Sequence, residues 1–219
     1  GYSMNSAIIL AAGKSSRMKK DIPKPYLKIN GRLVIDYSIT IFENSNYIDD
    51  IILVVSKEYV SKMKDNYPDI KIIEGGDSRK ESAFIGLKSC NAKTQNVLIH
   101  DAARIFITET LIQQCIKGLK NADGITTAAL ITDTIAQYKN NSIVNMKNRE
   151  ELISFQTPQA FDYEKILNAH KKFRGDATDD ISIMMMNDYN CKFILSDKQN
   201  FKLTTQIDYD NAIKILRDN

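Results

Sequence analysis

The chain has 219 residues, with 30 basic and 27 acidic side chains and a formal net charge of +3; this suits one α/β domain and lacks the strong basic bias of a duplex nucleic-acid binder. Its three cysteines, Cys90, Cys115 and Cys191, are far apart, and neither of its two histidines, His100 and His170, lies near one in sequence, which argues against a zinc site and a disulfide framework. No apolar run reaches the roughly 18 residues of a membrane span, and the opening residues do not resemble a signal peptide, so the expectation is a cytoplasmic protein with Met4 as its native initiator.

In chain order, residues 6–11 (SAIILA) are a continuous apolar, β-branched run and predict a buried strand. Apolar residues at helical spacing then predict a helix over 33–43. Residues 50–55 (DIILVV) predict a second strand, followed by a polar helix near 57–66. A third strand at 70–74 leads to a helix over 79–90, and a fourth at 96–100 (NVLIH) to a helix near 109–120, before a fifth strand at 125–131. Such alternation implies right-handed crossovers and a mostly parallel sheet with helices on both faces. Two strands, 134–139 and 142–145, flank Asn140-Asn141, which supports a tight hairpin. It reads either as a protruding dimerisation arm, at about 132–158, or as a sheet edge. Helices over 162–173 and 179–188, a strand at 192–196 and a final helix over 208–218 complete a single domain spanning 4–219.

Ligands of such sheets bind at the carboxyl ends of the strands. The first loop there, Ala11-Ala12-Gly13-Lys14-Ser15-Ser16-Arg17-Met18, has small residues that let a nucleotide approach the backbone. It is not a Walker A loop, because Ile8 stands where that motif needs glycine. Arg17 and Lys24 follow, the lysine held between Pro23 and Pro25, a stiff frame suited to clamping phosphate. The third loop, Gly75-Gly76-Asp77-Ser78, either meets a base or sugar, or simply starts a helix with Ser78 or Asp77 as its cap. Asp101, ending the fourth strand, is placed to hold a magnesium ion or to act as a cap. Residues 156–161 (QTPQAF) read as a polar, proline-fixed turn. Lys202, in an extended segment flanked by Phe201 and Leu203, either snorkels or points into the site.

Taken together, AAGKSSRM with PKPY, then GGDSRKES, HDAAR, QTPQAF, ATDD and FKLTT, resemble the 2-C-methyl-D-erythritol 4-phosphate cytidylyltransferases and their relatives, the ribitol-5-phosphate cytidylyltransferases. The resemblance covers about residues 6–216, with the motifs in family order. It implies a Rossmann-like fold of the nucleotide-diphospho-sugar transferase type, a protruding β-arm, a homodimer, a place in isoprenoid precursor synthesis, and CTP and a sugar-alcohol phosphate as substrates. By resemblance, Ala11, Ala12 and Gly13 bind CTP, with Gly76, Asp77, Ser82 and Ala102 around base and ribose; Asp101 assists Mg²⁺. Arg17 and Lys24 stabilise the transition state, and Lys202 contacts phosphate and orients the reacting groups. Arg104, Thr134, Arg149 and Thr178 position the acceptor, with Arg149 serving the partner subunit's site. Ser15, Pro25 and Ile105 depart from residues common in the family, without removing a charged candidate. Competing readings are the ribitol-type acceptor, a transferase making UDP- or TDP-sugars, and a nucleotide-binding module without catalysis.

Overall fold

The computed structural model describes residues 3–13, 22–196 and 198–219. Strand β1 (Met4–Ala11) is the buried run expected from its apolar sequence. After it come a 3-10 turn at Lys24–Tyr26 and a short ribbon, β2 (Lys28–Ile29) and β3 (Arg32–Leu33), that the periodicity did not signal. Asn30 and Gly31 at its tip take positive φ angles of 50° and 79°, a turn in which asparagine and glycine are tolerated. Then follow α1 (Val34–Glu43), β4 (Asp50–Val55), α2 (Val60–Asn66), β5 (Lys71–Glu74), α3 (Arg79–Lys88), β6 (Thr94–Asp101), α4 (Glu109–Gly118) and β7 (Gly124–Leu130). The second half holds β8 (Ile135–Lys139), β9 (Ser142–Lys147), β10 (Ile153–Asp162), α5 (Tyr163–Lys172), α6 (Ile181–Met186), β11 (Cys191–Leu195) and α7 (Gln206–Asp218).

Seven strands form one sheet in the order β11-β7-β10-β6-β1-β4-β5. All neighbours run parallel except β10, which is antiparallel to both β6 and β7. Successive residues of β1 face opposite layers. Ala7, Ile9 and Ala11 join Leu53 and Val55 under Ile35, Ile39, Met63 and Ile112 of α1, α2 and α4. Ile8 and Leu10 join Ile52 and Val54 under Ala83, Leu87 and Ile166 of α3 and α5, with Ile181 of α6. Each fully buried aliphatic side chain contributes about 1.5–3 kcal/mol, so these two layers hold the sheet. A third cluster packs Tyr209 and Ala212 of α7 on Ile29, Ala103, Ile105 and Leu203, which brings the C-terminal region against the strand ends.

Two expectations change. Residues 156–161 are not a turn: they lie within β10, a ten-residue strand inside the sheet between β7 and β6. Proline within a polar run argues against a central strand. Here the ladder breaks at Pro158, with a register shift between Phe155 and Gln159, after a cis Thr157-Pro158 bond. The buried polar groups find other partners, as Gln159 Nε2 donates to Thr126 Oγ1 at 3.0 Å. The hairpin 135–147 is not an edge of the main sheet. It forms its own two-stranded sheet, with Tyr138 and Ile143 each 75% exposed.

Candidate active site

A cleft of about 390 Å³ opens at the carboxyl ends of the central strands. Ala11, Ala12 and Gly13 form one wall, Pro23, Lys24 and Pro25 a second, and Arg79, Asp101, Lys202 and Thr204 the remainder. Of the residues expected to carry chemistry, Lys24, Asp101 and Lys202 therefore converge. Arg17 lies outside the described residues.

Each group is placed by identifiable contacts. The Pro-Lys-Pro frame is the start of a 3-10 turn, and the Lys24 carbonyl accepts a hydrogen bond from the Tyr209 hydroxyl of α7 at 3.1 Å. The buried Tyr26 hydroxyl donates to the Ala11 carbonyl at 3.0 Å and accepts from the Ser56 amide at 3.1 Å, tying the ends of β1 and β4 to the lysine turn. Burial pushes its phenol up to about 12, so it remains a donor. The Lys202 segment is held from both sides: Leu203 N donates to the Ala103 carbonyl at 2.9 Å. The buried Asn200 side chain donates to the Thr157 carbonyl at 2.9 Å and to Gln156 Oε1 at 3.1 Å. Lys202 therefore faces the cleft instead of snorkelling away from it.

Asp101 is the electrostatic centre, its side chain 13% exposed. Its Oδ1 accepts from Arg79 Nη2 at 3.0 Å and Nε at 3.2 Å, while Lys202 Nζ and Arg104 Nε stand 3.8 and 3.9 Å from Oδ2. Burial alone would raise the carboxyl, but Arg79, then Lys202 and Arg104, hold it well below the usual carboxylate range. The Asp101 backbone is fixed too. Its N–H donates to Thr157 Oγ1 at 3.0 Å, and that hydroxyl lies 2.9 Å from His100 Nδ1. His100 Nε2 is 2.8 Å from the Arg104 carbonyl, an acceptor only, so Nε2 carries the ring proton and Nδ1 accepts from Thr157. Burial drives the fully enclosed His100 down to about 4, leaving it neutral.

The third loop makes the helix entry considered for it. Ser78 caps α3, accepting from Glu81 N at 3.1 Å, and the loop lies against the first one: a Cβ on Gly75 would stand 2.3 Å from that of Ala12. Gly76 N donates to the buried Ser82 hydroxyl at 3.1 Å. Gly76, Asp77 and Ser82 thus stand behind Ala12 and outside the lining of the cleft. Ala102 is fully buried and donates to the Leu10 carbonyl at 2.9 Å, bonding the two strand ends together.

A second hollow of about 500 Å³ shares Lys202 with the cleft, and Arg104, Thr132, Asp133, Gln156 and Lys198 also line it. Arg104 donates to the Asn200 carbonyl at 2.8 Å, while its buried Nε has no hydrogen-bond partner. Thr134 begins the hairpin beside this hollow, and the exposed Arg149 side chain at the hairpin base donates to the Thr132 carbonyl. Thr178, in the loop before α6, lines neither space.

Sequence reasoning missed Arg79 and Asp180. Arg79 had a readable signal: it and Lys80 are cations in the first turn of α3, where the helix dipole disfavours positive charge. Asp180 is buried inside ATDD and carries no local mark of that burial.

A small-residue loop, a lysine held by prolines and a strand-end carboxylate among cations, gathered on a mostly parallel α/β sheet, define a nucleotidyltransferase. The sequence agrees, since residues 5–218 match the model of the IspD family, 2-C-methyl-D-erythritol 4-phosphate cytidylyltransferase. The chain belongs to that family. It is 34% identical over 222 residues to the 2-C-methyl-D-erythritol 4-phosphate cytidylyltransferase of Lachnospira eligens, covering 95% of this chain and 97% of that one. It is 36% identical over 219 residues to the enzyme of the same name from Clostridium botulinum, covering 94% of each. The crystal structure of 4-diphosphocytidyl-2C-methyl-D-erythritol synthase from Anaerococcus prevotii superposes with a TM-score of 0.87 at 30% identity, covering 98% of this chain and 96% of that one.

Proposed function

We propose that this enzyme transfers the cytidylyl group of CTP to 2-C-methyl-D-erythritol 4-phosphate and releases pyrophosphate. The observation that carries the reading is the meeting of Lys24, Lys202 and Asp101 around the Ala11–Gly13 loop, in a chain of this family. The triphosphate lies along that loop, with Gly76, Asp77 and Ser82 supporting the base and ribose end. The acceptor occupies the second hollow, where the cationic side chains of Arg104 and Lys198 in its lining favour an anionic phosphate. Lys202, common to both spaces, stands between the two substrates.

An acceptor phosphate oxygen attacks the α-phosphorus in line with the departing pyrophosphate. That oxygen is already anionic near neutral pH, so no general base is needed. The barrier is the approach of two anions while charge grows on the leaving group, which fixed cations relieve. Lys24 supplies a compact charge, and Arg17 a planar fork. Among the described residues no group of three or more His, Cys, Asp or Glu side chains surrounds a metal position. Asp101 Oδ2, with its cations beyond hydrogen-bond distance, fits a magnesium ion carried mainly by substrate phosphates. Such an ion would offset phosphate charge.

The exposed apolar hairpin supports a homodimer in which Arg149 reaches the partner's acceptor site. The test is pyrophosphate release with CTP and either 2-C-methyl-D-erythritol 4-phosphate or ribitol 5-phosphate. Turnover with the first and little with the second is expected; preference for ribitol 5-phosphate would overturn the acceptor assignment, and no release with either would overturn the transfer itself.

A further inference from the structure

Arg79 does not stand alone behind Asp101. Its Nη1 donates to Asp180 Oδ2 at 2.9 Å, so its guanidinium is gripped by two carboxylates. The other Asp180 oxygen, Oδ1, lies 2.9 Å from His170 Nε2. An ionised carboxylate only accepts, so His170 donates this bond. Both members of the pair are buried, each with its side chain 1% exposed. Burial alone would raise the Asp180 carboxyl, but Arg79 and His170 outweigh it and hold it low. His170 is in turn placed by Phe84 of α3, whose ring stacks on it at 5.8 Å with an interplanar angle of 8°. The result is a continuous chain of hydrogen bonds, His170–Asp180–Arg79–Asp101, from the end of α5 to the floor of the cleft.

We infer that His170 is a positioning residue for the transfer reaction, fixing Asp180 so that Arg79 holds Asp101 in its productive orientation; this rests on the cleft being the transfer site. The physical reason is geometric. Asp180 has two oxygens and two side-chain partners, and with the histidine gone only Arg79 holds the carboxylate, which gains play about its terminal torsion, a broad and soft one. Arg79 would then follow it, and Asp101 would lose the donors that set its plane. Small displacements of such a group are costly in turnover. Sequence alone concealed the link, because His170 and Asp101 are on different elements and neither pattern points to the other.

Two variants separate positioning from simple packing. His170→Leu fills the space and removes the donor; His170→Gln returns an N–H near the position of Nε2. Both are first compared with the wild type by thermal melting. With CTP and 2-C-methyl-D-erythritol 4-phosphate, His170→Leu is expected to lower kcat about tenfold with KM for CTP changed less than about twofold, and His170→Gln to regain most of that loss. In an Asp180→Asn background, His170→Leu is expected to add little, because the chain is already cut. Independently of turnover, solvent exchange of the Arg79 Nε–H, followed in ¹⁵N-labelled protein and assigned with Arg79→Lys, is expected to quicken in His170→Leu and to stay slow in His170→Gln. Unchanged kcat and unchanged exchange in a folded His170→Leu would overturn the inference. So would a loss of the same size in the Asp180→Asn background, which marks a packing effect. A wild-type protein that released no pyrophosphate while the exchange followed expectation would overturn the transfer reading and leave the hydrogen-bond chain standing as structure.

Discussion

Replacing His100 with glutamine separates what its buried ring contributes from what the rest of the molecule does in acid. The ring is fully enclosed and its pKa is lowered from 6.5 to about 4 by burial. The unfolded chain therefore takes up a proton on His100 well before the folded protein does. A base whose folded pKa is depressed costs stability as pH falls below its unfolded value, and the cost grows until the folded pKa is reached. Between about pH 7.5 and about pH 4.5 this amounts to roughly 2–3 kcal/mol. His100→Gln has no such titration. It keeps a donor for the Arg104 carbonyl but leaves the Thr157 hydroxyl without its acceptor, at a cost of about 1–3 kcal/mol near neutral pH. Urea unfolding of both proteins across that range is the assay. The wild type is expected to be the more stable at neutral pH, and its advantage to shrink by about 2–3 kcal/mol toward the acid end. A difference that stays constant with pH would refute the reasoning, since His100 would then titrate alike in both states.

Other outcomes follow from the same geometry. Tyr26→Phe removes the hydroxyl joining Ala11 and Ser56; it is expected to cost about 1–3 kcal/mol in urea unfolding and to raise KM for CTP severalfold, and an unchanged KM would show that the loop needs no such tie. Gly75→Ala drives a Cβ to 2.3 Å from that of Ala12, so the first loop must shift; calorimetric CTP affinity is expected to fall about tenfold with the fold kept, at an overpacking cost of about 1–3 kcal/mol. Lys24→Ala is expected to retain its circular dichroism spectrum and lose about 10²–10³ in pyrophosphate release; near-normal turnover would remove Lys24 from the reaction.

Legibility in the sequence followed the range of the forces involved. The strands expected at 6–11 and 50–55 announce themselves because most of each run is apolar and buried on both faces. The helices were readable from local spacing and, at α3, from a cap, Ser78, which accepts from Glu81 N; α7 begins at Gln206, two residues before the expected start, with Thr205 as its cap. β10 was not, because its buried Gln156, Thr157 and Gln159 are satisfied by partners distant in sequence, and its proline mimics a turn. In the site, Lys24, Asp101 and Lys202 were legible through the motifs that carry them. Their convergence depends on Asn200, Tyr209 and Tyr26, which bridge separations of up to 185 residues and leave no local trace. Of the ion-pair chain, only the cation Arg79 in the first turn of α3 left a local mark; its links to Asp180 and Asp101 left none, for the same reason.

In the proposed reaction one triphosphate is met by Lys24 and Lys202 over the Ala11–Gly13 loop. A crystal structure of the protein with bound CTP measures this directly. Phosphate oxygens are expected in contact with both lysines and with the backbone of that loop. Nucleotide density elsewhere on the surface, with both side chains turned away from it, would contradict this.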